Sequence, residues 1–381
     1  MAAVLALTVG LAVSASMTAP DAGAASASPG HTGTALGRAV AQIVRYSDGP
    51  PGIAVLVQRG GQTVLYRAGT ADLASGAPIR MLDSMRLASV AKAFSGAVAL
   101  SLVAGGVLSL SDTVGKWLPG LPPAWSKVTL RELLNHTSGI PDFSKTVAFA
   151  RALGKSPLKA PRPRALLSFA GKRLNFTPGS EYGYSNSDNI IVGLMVEAAA
   201  GKSYVRELRE RVFMPLRLAG TSLPRGAGLP VPVVHGYDVA PPHAPVDVTH
   251  LFAAGWAWAS GGIVSTPGDA NAFVRGYVRG ATMNSSARRA QFTFRPGNSE
   301  PPGPGRNSAG LAIFRYQTRC GTVYGHTGNT AGYTQFVAAS KNGRRSVVVS
   351  VNSQLTPSIH PGRFRELRQI YTLAVCAALA R

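Results

Sequence analysis

Three short stretches of this chain carry residues whose types and spacing could perform acyl transfer. Ser89-Val90-Ala91-Lys92 sets a hydroxyl and an ammonium three residues apart. On a helix, positions three apart share a face, so the two groups would meet near a helix start. A serine hydroxyl is a poor nucleophile at neutral pH and needs an adjacent base. A lysine in a desolvated cleft loses its proton readily enough to serve. On its own the spacing is common, and a surface serine beside a lysine lying along apolar surface explains most such pairs.

Tyr184-Ser185-Asn186 follows the turn Phe176-Thr177-Pro178-Gly179, which would hold the tripeptide in a loop facing a cleft. The Tyr184 phenol could relay a proton, and the Asn186 side chain could bind a substrate amide as both donor and acceptor. A buried tyrosine anchored by its hydroxyl is the plainer alternative. In His326-Thr327-Gly328, Gly328 would leave room for a substrate backbone along a strand edge, Thr327 would offer a hydroxyl, and His326 would face the serine as a donor.

These stretches must be positioned by the elements around them. Leu36, Val40, Ile43 and Val44 recur at helical spacing before Gly49-Pro50-Pro51. Ile53, Val55 and Val57, then Val64 and Tyr66 across Gly60-Gly61, read as a β-hairpin. The apolar, proline-free run from Ala88 to Leu102 predicts a buried helix opening at the Ser89 stretch. A helical region with Pro- and Gly-rich interruptions follows to about residue 220, including a helix from Asn189 to Ala200 that stops at Gly201.

Strand character returns over Gly262–Val264, Ala312–Tyr316, Thr322–Tyr324, Gly332–Ala339 and Arg345–Val351, the last after an Asn342-Gly343 hairpin signal. Phe364, Leu367, Ile370, Tyr371, Ala374 and Ala378 mark a closing helix. Strands at both chain ends with helices between them predict an α+β fold: one antiparallel sheet flanked by helices, built from residues 35–100 and 260–381, with a mainly helical subdomain, 101–259, inserted. The ligand cleft is expected between the two. Arg295–Gly305 reads as an exposed loop with no function.

Together, and in this order, the three stretches resemble the serine β-lactamase and penicillin-binding superfamily, in the branch holding class C β-lactamases and secreted D-alanyl-D-alanine carboxypeptidases. Leu108–Asp112, Leu134–Ile140 and Gly261–Thr266 are similar to structural stretches of that branch, which makes His136 structural. The resemblance implies that Ser89 is acylated, that Lys92 and Tyr184 share the base role, and that the backbone amides of Ser89 and Asn329 hold the oxyanion. Asn186, Thr327, Gly328 and Asn329 are then the substrate-binding residues, and neither metal nor organic cofactor is required. Ser187-Asp188-Asn189 matches the corresponding element of class A enzymes, but the Phe-x-Pro-Gly lead-in favours Tyr184.

His326, where class C β-lactamases usually carry lysine, points to a carboxypeptidase trimming peptidoglycan stem peptides that end in D-Ala-D-Ala and acylated by β-lactams. Asn329 stands where a hydroxyl residue is expected, and Phe314 where some relatives place a carboxylate-binding arginine. A β-lactamase, an esterase or a D-amino-acid peptidase therefore stays open, as does a non-hydrolytic, wall-associated β-lactam receptor.

Composition bounds these readings. The 381 residues, 45% hydrophobic, can bury a large core, and 43 glycines and 27 prolines imply many turns. Met1–Ala24, apolar and small-residue-rich with Ala22-Gly23-Ala24 as a cleavage site, reads as an export signal although no basic residue precedes it, with a linker over 25–34. The expected product is secreted, without a membrane span after processing, and monomeric. In an oxidising compartment Cys320 and Cys376 read first as a disulfide, with two buried thiols as the alternative. The formal charge of +22 points to anionic neighbours. No nucleic-acid-binding motif is present, so an anionic cell-wall polymer is the favoured partner, against a solvated basic surface with none.

Overall fold

The computed structural model describes residues 34–380. The expected export signal and all of the linker except Thr34 lie outside the described residues. Helix α1 (Ala35–Ile43) starts where the Thr34 hydroxyl accepts the Gly37 amide, and it buries Leu36, Val40 and Ile43.

The hairpin β1 (Gly52–Arg59) and β2 (Gln62–Gly69) turns at Gly60, whose φ of 56° suits glycine. The remaining strands come late: β3 (Arg295–Pro296), β4 (Arg306–Ala309), β5 (Phe314–Thr318), β6 (Gly321–Thr330), β7 (Tyr333–Ala339) and β8 (Arg345–Val351). They form one eight-stranded sheet in the order β2-β1-β8-β7-β6-β5-β4-β3, every pair antiparallel. The hairpin from the start of the chain thus pairs with the last strand, Ile53 opposite Val351, and both ends of the chain build one sheet.

Nearly all of β1 is buried, because side chains alternate between two covered faces. Ile53, Val55 and Val57 pack with α1 and the closing helix α6 (Pro361–Leu379), while Ala54 and Leu56 belong to the core around α2 (Ala91–Ala104) and α4 (Pro267–Arg279). Cys320 and Cys376 are joined, tying the β5–β6 turn to α6. Closing that 56-residue separation stabilises the fold by about 4 kcal/mol in a chain-entropy account.

Helix α2 is apolar on every side because it runs through the centre of the molecule. A Cβ at Gly96 would lie 2.2 Å from the Ala312 Cβ and 2.7 Å from the Tyr277 hydroxyl, so neighbouring side chains pack directly on it. The expected subdomain boundary at residue 100 therefore falls inside a buried helix. Among the described residues no helix is long and apolar enough to cross a membrane.

Four expectations are corrected. Helix α3 runs over Asn186–Ala200, three residues earlier than its apolar pattern, because the polar residues Ser187, Asp188 and Asn189 are buried and hydrogen-bonded instead of ending the helix. Strand β6 continues through His326–Thr330 instead of stopping at Tyr324. Val264 pairs with Arg86 in a two-residue ladder outside the main sheet. Arg295–Gly305 is no free loop: it carries β3 and buries Ser299, Pro301, Gly303 and Pro304 against the sheet.

Candidate active site

Ser89 lies in a single turn of 3-10 helix, Ala88–Val90, that leads into α2. The preceding residue, Ala88, has a φ of 48°, a left-handed conformation that costs a non-glycine residue energy and that persists here under close packing. His136 (φ 58°) and Trp258 (φ 36°) share that region of backbone space, and both lie near the serine's partners described below.

The Lys92 Nζ donates to Ser89 Oγ at 3.0 Å, to Asn186 Oδ1 at 2.7 Å and to the Ser260 carbonyl at 2.7 Å. Lys92 is fully buried, and burial lowers its pKa to about 7, against the opposing charge of Asp142. At neutral pH a large fraction of Lys92 is therefore an unprotonated amine one hydrogen bond from a serine hydroxyl.

Asp142 sets the orientation of Asn186. The Asn186 Nδ2 donates to Asp142 Oδ2 at 3.0 Å and to Ser144 Oγ at 2.9 Å, which turns the amide oxygen toward Lys92. Asp142 also accepts the backbone amide and the hydroxyl of Ser144, so the carboxylate is fixed from both sides.

The Tyr184 ring lies 5.0 Å from Lys92 Nζ and tilts over the His136 ring at 4.5 Å. Its hydroxyl is beside Ser89 but makes no well-formed hydrogen bond. Burial, followed by the carboxylates of Glu300 and Asp142, pushes the phenol well above its ordinary pKa, so Tyr184 stays protonated. His136 Nδ1 lies 2.8 Å from Asp188 Oδ2, deep beneath the phenol, and burial drives both groups toward their neutral forms. His136 supports Tyr184 and does not reach Ser89. Ser187 also faces away: its hydroxyl donates to the Pro141 carbonyl at 2.6 Å and accepts the Phe143 amide.

Strand β6 passes against the Ser89 turn at Gly328. A Cβ there would lie 2.2 Å from the Leu87 carbonyl oxygen and 3.2 Å from the Ser89 nitrogen. The glycine is thus required by the close approach of the chain's own backbone, a correction to the expectation that it makes room for substrate. Thr327 is corrected as well, since its hydroxyl is buried and donates to the Pro301 carbonyl at 2.6 Å. His326 is buried against Phe314, and burial lowers its pKa to about 3, so it is neutral. The Asn329 amide is held by Thr334, Leu355 and Gln354.

Among the described residues strand β6 has no strand partner on the β5 side beyond Gly325, because that ladder ends at the Gly325–Phe314 pair. Two of the buried polar atoms that lack a protein hydrogen-bond partner, Tyr184 Oη and His326 Nε2, belong to this constellation.

A cleft of about 350 Å³ opens onto Ser89 and Asn186. Phe143, Phe149, Phe252 and Trp256 form an aromatic wall beside Leu153, and Asn329, Thr330, Ala331 and Gln354 line the cleft too. None of the lining residues carries a charge. Lys145, next in the chain to the lining residue Ser144, is paired with Glu300 at 3.1 Å. Among the described residues no cluster of His, Cys, Asp and Glu side chains could hold a metal ion.

Comparison with known proteins accounts for this arrangement. The profile of the family described as Beta-lactamase matches residues 36–372. The chain belongs to that family. Within it, penicillin-binding protein 4* of Bacillus subtilis (strain 168) is 30% identical over 167 residues, 42% of this chain and 35% of that protein. A D-aminopeptidase of Brucella anthropi is 30% identical over 182 residues, 48% of this chain and 34% of the relative. The chain thus matches about a third of these relatives' length. A D-stereospecific amidohydrolase from Streptomyces sp. superposes with a TM-score of 0.77 at 26% identity, covering 88% of this chain and 97% of that one.

Against the Beta-lactamase family fold, the sequence motifs point to Ser89, Lys92, Tyr184, Asn186 and His326, and the structure brings these together. Asp142, Ser144, Ser260 and the aromatic wall escape sequence reasoning. Asp142 had one available signal, a carboxylate two residues after the Leu134–Ile140 stretch in a chain with only 17 acidic residues. The Ser260 carbonyl had none, because any residue supplies one.

Proposed function

We propose that the chain is a serine amidohydrolase that forms an acyl-enzyme at Ser89 and cleaves amide bonds of D-configured, apolar acyl groups. The observation that carries this reading is the 3.0 Å contact between Ser89 Oγ and a lysine amine whose pKa is about 7. Neutral Lys92 takes the hydroxyl proton as Oγ bonds to the substrate carbonyl carbon. The carbonyl oxygen becomes an oxyanion, held by the backbone amides of Ser89 and Asn329, both at the cleft. Tyr184, protonated in the resting site, hands its proton to the leaving nitrogen and takes one from the Lys92 ammonium as the C–N bond breaks, which returns Lys92 to the neutral amine. Water then attacks the acyl carbon, gives its proton to the same relay and frees Ser89.

The substrate class follows from the cleft. A carboxypeptidase must recognise a free carboxylate, which calls for a cation or several donors. The lining offers no charged side chain, and Lys145, next in the chain to the lining Ser144, is already paired. An uncharged amide leaving group suits these walls, and the aromatic side suits an apolar acyl group. The names of the D-aminopeptidase and the D-stereospecific amidohydrolase supply the D configuration.

The test is mass spectrometry and product release with three compounds: penicillin, D-phenylalanine amide and an acyl-D-Ala-D-Ala peptide. We expect a penicillin adduct that Ser89→Ala abolishes, and faster turnover of the amide than release of D-alanine. Faster D-alanine release would restore the carboxypeptidase reading. An adduct with no turnover of either compound would mark a β-lactam receptor, and persistent labelling of Ser89→Ala would remove Ser89 as nucleophile.

A further inference from the structure

We propose that the end of the sheet away from Ser89 is a binding site for a flexible linear polymer of repeated phosphates, as distinct from duplex nucleic acid or a lipid surface. Between Ala270 and Arg365 the chain carries a single carboxylate, Glu300, among more than a dozen arginines and lysines. The fold gathers several of these at one place: the C-terminus of α4, the helix α5 (Ser285–Gln291) and the β7–β8 turn.

A cavity of about 390 Å³ there is lined by Arg279, Arg288, Arg289 and Lys341, with Asn284 and Ser285 beside them and no acidic residue. No carboxylate among the described residues pairs with any of the four cations. Arg288 is held by backbone alone. Its Nε donates to the Val278 carbonyl at 2.9 Å and its Nη2 to the Lys341 carbonyl at 2.9 Å. It packs over Gly280, where a Cβ would lie 2.6 Å from its Cδ. Arg288 and Lys341 both lie 5.3 Å from the centre of the Phe292 ring, so two like charges share one aromatic ring.

Like charges gathered without a counter-charge repel one another, and an anion in the cavity would remove that cost. Fixed guanidinium donors beside a lysine suit phosphate oxygens. Cations continue outside the cavity: Arg275, whose Nε donates to the Gly343 carbonyl at 2.9 Å, and the exposed Arg344 in the same turn. A single phosphate would meet only part of this row, whereas a polymer with repeated charges would follow it. The turn lies at the Gly321 end of β6, since Tyr324 pairs with Ala339, while Ser89 packs at Gly328. Seven strand residues separate the two ends, roughly 24 Å at ~3.4 Å each. A bound polymer would leave the cleft open.

The test is fluorescence anisotropy with labelled long-chain polyphosphate, from low to physiological salt, on the whole chain. One triple variant reverses Arg279→Glu, Arg289→Glu and Lys341→Glu; another reverses Lys127→Glu, Arg131→Glu and Arg173→Glu in the helical region, for the same change in net charge. We expect the first to weaken binding about 30-fold or more and to flatten the log–log salt slope by roughly two to three, and the second to change affinity less than about threefold. Penicillin labelling and melting temperature report that both variants are folded. Should the first triple fail to fold, Lys341→Glu alone, in an exposed turn, is compared with Lys127→Glu. Equal weakening by both sets would overturn the site in favour of net charge. Tighter binding to duplex DNA or to anionic lipid vesicles than to polyphosphate would overturn the ligand class.

Discussion

Lys92 and Lys341 are the same amino acid in opposite surroundings. Lys92 is sealed in the centre of the molecule, its three donor positions taken by Ser89, Asn186 and Ser260, and burial brings its proton within reach of release at neutral pH. Lys341 stands exposed in a turn, over an aromatic ring and beside other cations. Low dielectric makes the first a base. High dielectric leaves the second a charge that acts at a distance. The comparison teaches that an abundance of cations says little about chemistry here, and that desolvation of one of them says a great deal.

The largest expected effect breaks the buried half of the comparison. Lys92→Met should lower the rate of acylation by penicillin by roughly 10³-fold or more, and Tyr184→Phe by about 10² to 10³-fold, since each removes a step of the proton relay. Ser187→Ala should leave acylation within a few-fold and cost about 1 to 2 kcal/mol of stability, because its hydroxyl only ties Pro141 to Phe143. Stopped-flow labelling and denaturant unfolding of the three variants decide between the Tyr184 and Ser187 assignments. Loss of acylation in Ser187→Ala with retention in Tyr184→Phe would reverse them.

Much of this site was legible in the sequence because its motifs are local. Ser89 and Lys92 lie within one turn, and Tyr184 and Asn186 are two residues apart. That one antiparallel sheet joins both chain ends was legible from alternation and turn residues, and Arg345–Val351 matches its expected bounds. What escaped notice depends on tertiary burial. The start of α3 was hidden because buried hydrogen-bonded polar residues look like a loop in a sequence. Thr327 and Gly328 resemble substrate contacts until the Pro301 carbonyl and the Leu87 backbone occupy those positions. The loop 295–305 reads as solvent-exposed because its prolines and glycines mark turns, while its burial comes from Tyr316 and Arg368, far away in the chain.

A smaller effect sharpens the account of how Lys92 is tuned. Asp142 orients Asn186 and is the leading charge that favours the Lys92 ammonium. Asp142→Asn should therefore move the acid limb of the pH profile for acylation, set near 7 by Lys92, to lower pH, with a rate loss of about tenfold on its plateau. A change that merely loosened the fold would lower the rate without moving the limb. An unmoved limb would reduce Asp142 to a structural anchor.

The smallest expected effect is on stability, and its sign follows from where the protons reside. Lys92 holds its proton up to about pH 7 when folded but up to 10.5 when unfolded. Between those values the unfolded chain binds more protons, so stability rises with pH, by up to about 1.4 kcal/mol per unit for this one group; below pH 7 both states are protonated and the slope vanishes. His136 and His326, lowered to about 3, add a rise of the same sign in a separate window, from about 3 to 6.5. Repulsion among the surface cations is common to the wild type and to Lys92→Met, so the difference between their urea-unfolding curves isolates the lysine. That difference should favour the variant at neutral pH and shrink toward pH 10, the stability cost of keeping a base in the core. Parallel curves from pH 7 to 10 would mean that Lys92 is not desolvated, and the contrast with Lys341 would fail at its first step.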